Sequence, residues 1–456
     1  MSVLFLSAPA VHPAFSAELS MDVYEAASAG ESESVIFAKK LRDELQNGSI
    51  DGALMLFDSL PESLLDDVDL KKLHASLLIS AGQYKEADRI VSGLESASPS
   101  DIELKEMRIV LSKASGNEQR KHVAIQAVIK ADPNNVTANV ELAHENVLAH
   151  KYKQARSYYQ KALVKEPDNQ EALFGYGQTS YYLNDLTNSR KAFNKILADD
   201  PENAVAYSYI AKLEAENSNY KRAEENIRKA IAYDAGAYDF YMDLGNYVRQ
   251  QGKFAEAEKA WSKAISLDPT YFLAYAYRAG LYDEQNKYEQ ALQDYRMVVK
   301  TNPKYYFAYE SLGMLAWRIG SWDEACSAFE KAYSYNKTNI SYPLIISACY
   351  LKAGKKQQAK QFLETAMKDY QDHSSSEYVM LRLYHDLGPS VAENDMALRI
   401  QKETSATKRG KFLYYFALFY EIKKNDSLAK KYYVEIKTMN SPMFFEYRLA
   451  EWSLEG

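Results

Sequence analysis

The chain has 456 residues, with 55 basic and 62 acidic side chains and a formal net charge of −7, which excludes nucleic-acid binding driven by bulk positive charge. An apolar share of 47% with 26% charged residues is enough to bury a core and excludes compositional disorder. Eighteen Gly and twelve Pro are too few for a turn-rich all-β chain, and two cysteines, Cys326 and Cys349, exclude a disulfide framework and read as small core residues.

Residues 1–33 stand apart. Val3-Leu4-Phe5-Leu6, followed by small residues through Ala14 and Ser16, resembles the end of a secretory signal with cleavage before Ala17, although the basic leading segment is missing. Two readings stay open: an exported, periplasmic protein with an acidic linker from Glu18 to Ser34, or a cytoplasmic protein with an N-terminal arm. No cysteine follows that would offer a lipid anchor.

From Ser34 onward the chain repeats. Pro99, Pro133, Pro167, Pro201, Pro269 and Pro303 stand at one constant interval, doubled only across Ala235. Setting that proline at position 32 of the period divides the stretch 34–373 into ten equal units, beginning 34–67, 68–101 and 102–135 and ending 340–373, without insertion or deletion. Position 20 is small in nearly every unit, as at Ala87, Ala155, Ala257 and Ala325. Position 24 is always apolar, as at Val91, Tyr159, Trp261 and Phe329. Position 8 is small in eight units, with Leu41 and Ile109 the exceptions. Unit 102–135 departs most, since Lys121 stands at position 20.

Within 238–271, Tyr241, Leu244, Gly245 and Val248 form one helical stripe, and Phe254, Ala257, Trp261 and Ala264 form a second after Gln251-Gly252-Lys253. The spacing predicts two helices of about 13 residues per unit, with the small positions letting their axes cross closely. Tyr241…Leu244-Gly245…Phe254…Ala257…Trp261…Ala264…Pro269 resembles the tetratricopeptide repeat. The resemblance implies an all-α, right-handed solenoid of stacked helix–turn–helix repeats, folding as one array. Two degenerate repeats are expected over 374–443, where Gly388-Pro389 interrupts the pattern. Residues 444–456 read as an amphipathic helix that caps the last repeat.

No enzyme motif is present. The histidines lack metal-ligand spacing, no phosphate loop or nucleophile elbow occurs, and neither a cofactor nor a metal is expected. The longest apolar run after the N-terminus, Phe412 to Tyr420, is far short of the roughly 20 residues that span a membrane. A catalytic site around His373, His385 and Asp386 is the enzymatic rival.

What the resemblance implies instead is a groove lined by the first helices of successive units, at positions 2, 5, 9, 12 and 13, binding a protein or peptide partner. Those positions supply Asn246 and Arg249, then Asp283, then Phe307, Glu310, Met314, Trp317 and Arg318. Trp317 and Arg318 are the expected anchors, because aromatic and arginine side chains dominate interface energies. Met242 occupies the place of a lysine with which some family members clamp a C-terminal carboxylate, so no such clamp is expected. The function read from this surface is a non-catalytic scaffold or adaptor. An accessory subunit that recruits substrate to a separate enzyme, and a structural component of an exported envelope complex, are the alternatives.

Overall fold

The computed structural model describes residues 33–388, 391–439 and 444–455. The signal and most of the linker proposed for residues 1–33 therefore lie outside the described residues. Among the described residues the regular structure is helical, without a strand, and the chain divides into two compact units between Leu213 and Glu214.

The first unit contains α1 (Glu33–Gln46), α2 (Ile50–Asp58), α3 (Val68–Ser80), α4 (Tyr84–Ala97) and α5 (Ile102–Ala114). It continues with α6 (Glu118–Ala131), α7 (Val136–Leu148), α8 (Tyr152–Lys165), α9 (Gln170–Tyr182) and α10 (Leu186–Asp199). The division falls within α11 (Ala204–Glu216). The second unit holds α12 (Tyr220–Tyr233), α13 (Tyr238–Gln250), α14 (Phe254–Leu267), α15 (Phe272–Glu284), α16 (Tyr288–Thr301), α17 (Phe307–Arg318) and α18 (Trp322–Tyr335). It ends with α19 (Ser341–Lys352), α20 (Lys356–Ala366), α21 (Ser376–Asp386), α22 (Val391–Lys402), α23 (Ala406–Ile422), α24 (Asp426–Lys437) and α25 (Phe445–Glu455). Within each unit the helices pack on their neighbours in sequence, which makes the fold an all-α solenoid of stacked helix pairs.

The turn between paired helices obeys a backbone rule. Gly48, Gly82, Gly116, His150, Asn184, Ser218, Gly252, Asn286, Gly320 and Gly354 recur once per repeat at one fixed position, and all have positive φ, from 56° to 77°. At Gly252 the reason is explicit: its N–H donates to the Arg249 carbonyl and the Lys253 N–H to the Val248 carbonyl, both at 2.9 Å. This closes the helix end with a left-handed residue, the conformation that glycine and asparagine tolerate best. Six glycines and two asparagines of the ten follow that preference; His150 and Ser218 do not.

Positions 8 and 24 are sterically matched. A Cβ added at Gly245 would lie 2.3 Å from Trp261 Nε1, and one added at Gly177 or Gly313 would lie 2.9 Å from the ring of Phe193 or Phe329. Glycine at these three sites is the space into which the large ring four residues after position 20 packs.

Position 34 does different work in the two units. In the first, Asp67, Asp101, Asn135, Asn169 and Asn203 accept backbone N–H bonds that cap the following helix. In the second, Asn339 still accepts the Ser341 N–H at 3.2 Å, but Tyr271 and Tyr305 replace the cap and pack on Tyr238 and Phe272, with ring centroids 4.7 and 5.0 Å apart. Tyrosine at position 4 adds a tie between repeats, since Tyr275 and Tyr309 donate at 3.3 Å to the carbonyls of Pro269 and Pro303 in the preceding unit.

The irregular unit 102–135 also has a physical account. Lys121 is buried, and its ammonium pairs with Glu118 at 2.6 Å and Glu145 at 3.2 Å. Its alkyl stem lies where other units place alanine, and the charge is neutralised at the edge. Cys326 and Cys349 are buried and unpaired with each other, and burial pushes the Cys326 thiol up to about 12.

The C-terminal helices depart from simple stacking. α23 is the centre of a bundle formed with α19, α21, α24 and α25, and Phe412 through Tyr420 are buried without interruption. The apolar run is thus a helix surrounded on all sides. No helix among the described residues is long and apolar enough to cross a membrane.

Candidate functional site

The residues expected to line a groove in the second unit lie on α13, α15 and α17. Asn246 is half-buried on α13, and Arg249 pairs with Glu284 on the next first helix, α15. Phe307, at the start of α17, is 63% exposed and leans on Tyr306, with centroids 4.3 Å apart. Glu310, one turn further, accepts a 2.7 Å hydrogen bond from the Tyr342 hydroxyl of α19, and burial together with that carboxylate pushes the tyrosine pKa up.

Trp317 is placed otherwise than an open anchor requires. It is 8% exposed and meets Trp322 of α18 edge to face at 5.0 Å, while Lys352 lies over both rings. Position 12 of this unit is turned into the α17–α18 packing because Trp322, at the head of α18, gives the indole a partner. Met314 is also buried.

The two remaining positions, Asp283 and Arg318, face another part of the same chain. α25 lies against α17, α23 and α24. Arg448 Nη2 donates to Asp283 Oδ1 at 2.7 Å, and Nη1 reaches the other carboxylate oxygen. Burial works against the charge on Arg448, yet the bonds to Asp283 outweigh it and hold the guanidinium more firmly protonated than usual. Arg318 donates to the Trp452 carbonyl and to Glu455, both at 3.3 Å. The Trp452 ring sits under the Arg448 guanidinium at 4.5 Å and meets Tyr288 edge to face at 5.4 Å. Between α17 and α25 remains a cleft of about 500 Å³, with Glu310 and Met314 on one wall and Tyr447, Arg448 and Glu451 on the other.

The other side of α25 is apolar with one exception. Leu449 and Ala450 are 1% exposed, and Glu446 between them and α23 is fully buried. Its Oε1 lies 3.0 Å from the Tyr415 hydroxyl, which also lies 2.9 Å from the Ser341 carbonyl. One phenol proton cannot serve two acceptors, so the contact is complete when Glu446 is protonated and donates. Burial pushes its carboxyl up, opposed by Lys411, Ser341 and Tyr415.

The repeat frame gives Asp283 and Arg318 as expected groove positions but gives no sign that Arg448 and Trp452 are their neighbours. The amphipathic pattern of the C-terminal segment was readable, whereas a contact across 165 residues has no local signature.

The histidines near 374–409 are separately engaged. His385 contacts Asp386 at 2.7 Å and Glu364 at 3.3 Å, and His373 stacks on Tyr378 at 4.3 Å. Among the described residues no group of three or more His, Cys, Asp or Glu side chains is placed to hold a metal ion.

Sequence models of the tetratricopeptide repeat match residues 140–204, 210–272 and 277–339, with further matches at 260–293 and 344–373. All lie between residues 140 and 373. No curated protein matches significantly. Similar solved structures include MamA, at 22% identity over 36% of this chain and 95% of that one, with a TM-score of 0.32. YrrB, described as a tetratricopeptide-repeat protein with an unusual peptide-binding site, is 17% identical over 41% of this chain and 97% of its own, with a TM-score of 0.33. A tetratricopeptide-repeat protein from Parabacteroides merdae is 17% identical over 55% and 99%, with a TM-score of 0.35. Overlays this loose carry no functional weight.

Proposed function

This chain is a protein of the tetratricopeptide-repeat family, and from that premise we propose that it is a non-catalytic scaffold that binds a protein or peptide segment along the groove face of its second unit. The repeats themselves support a protein-interaction role in general. The observation that carries the finer reading is that α15, α16 and α17 present Asp283, Tyr288 and Arg318 to a helical segment, α25, and hold it by charge, ring and backbone contacts. A face that accepts one helix in this way has the chemistry to accept a partner.

Phe307 replaces Trp317 as the leading anchor, because it is exposed where Trp317 is packed. Asn246, half-buried on α13, is the second residue proposed to contact the partner. Crosslinking pull-down from the source cell tests the reading. Phe307→Ala combined with Asn246→Ala should weaken capture of the partner at least about tenfold, ~1.4 kcal/mol, with helicity retained. Unchanged capture by the folded variant moves the site off this face. Copurification with an active enzyme would instead favour the accessory-subunit alternative, and a mature N-terminus near Ala17 the exported one.

A further inference from the structure

The groove face of the second unit is already occupied. Phe445, Arg448 and Trp452 stand at i, i+3 and i+7 on α25, so they share one stripe. That stripe meets the array: Phe445 stacks on Phe329 at 5.9 Å, Arg448 bonds Asp283, and Trp452 fills the shelf made by Arg318 and Tyr288. The adjoining stripe, Glu446, Leu449 and Ala450, meets the bundle around α23.

The two stripes differ in how they hold. The groove stripe uses charge, rings and backbone contacts, with Phe445 and Arg448 half-buried and Trp452 buried against the shelf, as a docked ligand does. The inner stripe is apolar but contains a buried carboxylic acid, which weakens an otherwise ordinary capping contact. A cap selected only to seal the last repeat needs neither the arginine facing Asp283 nor the carboxyl facing α23.

We propose that α25 is a resident ligand of this groove face, and that the partner using the face is an amphipathic helix that offers an arginine to Asp283 and an aromatic ring one turn later to Arg318 and Tyr288, in competition with α25. The proposal rests on the groove reading above and names the chemistry of its partner. The cleft beside α17 gives an entering helix its first foothold at the partly exposed Glu310. A helix lacking the arginine would leave Asp283 facing an apolar surface and would be rejected.

The test uses a fluorescent synthetic peptide of residues 444–455 as the probe and the full chain as the receptor. Leu449→Asp removes the inner anchor of α25 and leaves every groove residue in place, so this variant should bind the peptide at least about tenfold more tightly than the wild-type chain. Adding Asp283→Arg should abolish that gain. A second measurement needs no destabilised protein: in the wild-type chain, excess peptide should speed hydrogen exchange of the α25 amides at least about tenfold, because it traps the open state. A peptide carrying Arg448→Glu should leave that exchange unchanged. Equal binding by wild-type and a folded Leu449→Asp chain, or α25 exchange indifferent to the peptide, overturns the proposal. Failure of the groove reading alone would look different: the peptide results would stand while Phe307→Ala with Asn246→Ala left capture of the cellular partner intact.

Discussion

Arg448 and Asp283 are joined by two guanidinium-to-carboxylate hydrogen bonds across 165 residues of sequence, and the pair ties α25 to the face of α15. A double-mutant cycle of Asp283→Ala and Arg448→Ala should give a coupling of roughly 1–2 kcal/mol, reduced from the full charged-bond range because Arg448 is partly exposed. Chemical denaturation of the four proteins measures it. Additive single effects would show that the pair contributes no coupling.

Gly245 and Trp261 form a steric pair that tolerates little change. Gly245→Ala places a methyl 2.3 Å from a rigid indole that is fully buried, and should cost roughly 1–3 kcal/mol. Ala257, also fully buried, predicts a similar loss for Ala257→Leu. Trp261→Leu should recover part of the Gly245→Ala loss by making room. Thermal melting of the single and double variants decides the matter.

Ser218 occupies the column that glycine or asparagine fills in eight of the ten units, at φ 59°. Its hydroxyl is not what closes the turn, since the bonds run from the Ser218 and Asn219 N–H groups to Ala215 and Glu214 carbonyls. Ser218→Gly should therefore stabilise by about 1 kcal/mol, the left-handed penalty removed less the added chain entropy. A lowered denaturation midpoint would contradict the strain account.

Glu446 predicts a pH dependence with a definite sign. Its folded pKa is raised, so the neutral form is the one the structure favours. The stability this gives is fully present below the ordinary carboxylate range and is lost as pH rises through the elevated folded value, by about 1.4 kcal/mol per unit of elevation at most. Glu446→Gln keeps a neutral group of the same shape and should flatten that decline, becoming more stable relative to wild type as pH increases. Parallel pH curves for the two proteins would mean that Glu446 ionises in place without cost.

Arg318 gives an opposing pair of effects. Removing its side chain loosens Trp452 and Glu455 of α25, whereas Trp317→Ala removes packing against Trp322. Arg318→Ala should leave the melting temperature nearly unchanged and speed α25 hydrogen exchange, while Trp317→Ala should lower stability by about 3–5 kcal/mol. Equal losses from both would place Arg318 in the core framework.

The ten-unit frame was legible because each repeat is a local object. A proline at a constant interval, an alanine where axes cross and an apolar side chain four positions later express contacts made within one helix pair or with the next, and such contacts recur at fixed spacing. The residues proposed to line the groove are read from the same spacing. The left-handed column was present in the sequence as well, but His150 and Ser218 interrupt its glycines and asparagines, so the rule emerges only from the backbone angles.

Tertiary structure decided the rest. Trp317 sits at a groove position by spacing, yet Trp322 offers it a ring at 5.0 Å and the burial of two indoles outweighs exposure of one. Tyr271 and Tyr305 hold a place that capping residues hold in the first unit, and their role depends on rings contributed by Tyr238 and Phe272. Above all, the segment from Phe445 to Glu455 reads alone as a cap with one apolar face. That its other face carries Arg448 to Asp283 and Trp452 to Arg318 is settled by how the second unit folds, because charge pairs and ring contacts between distant segments leave no period in a sequence to read.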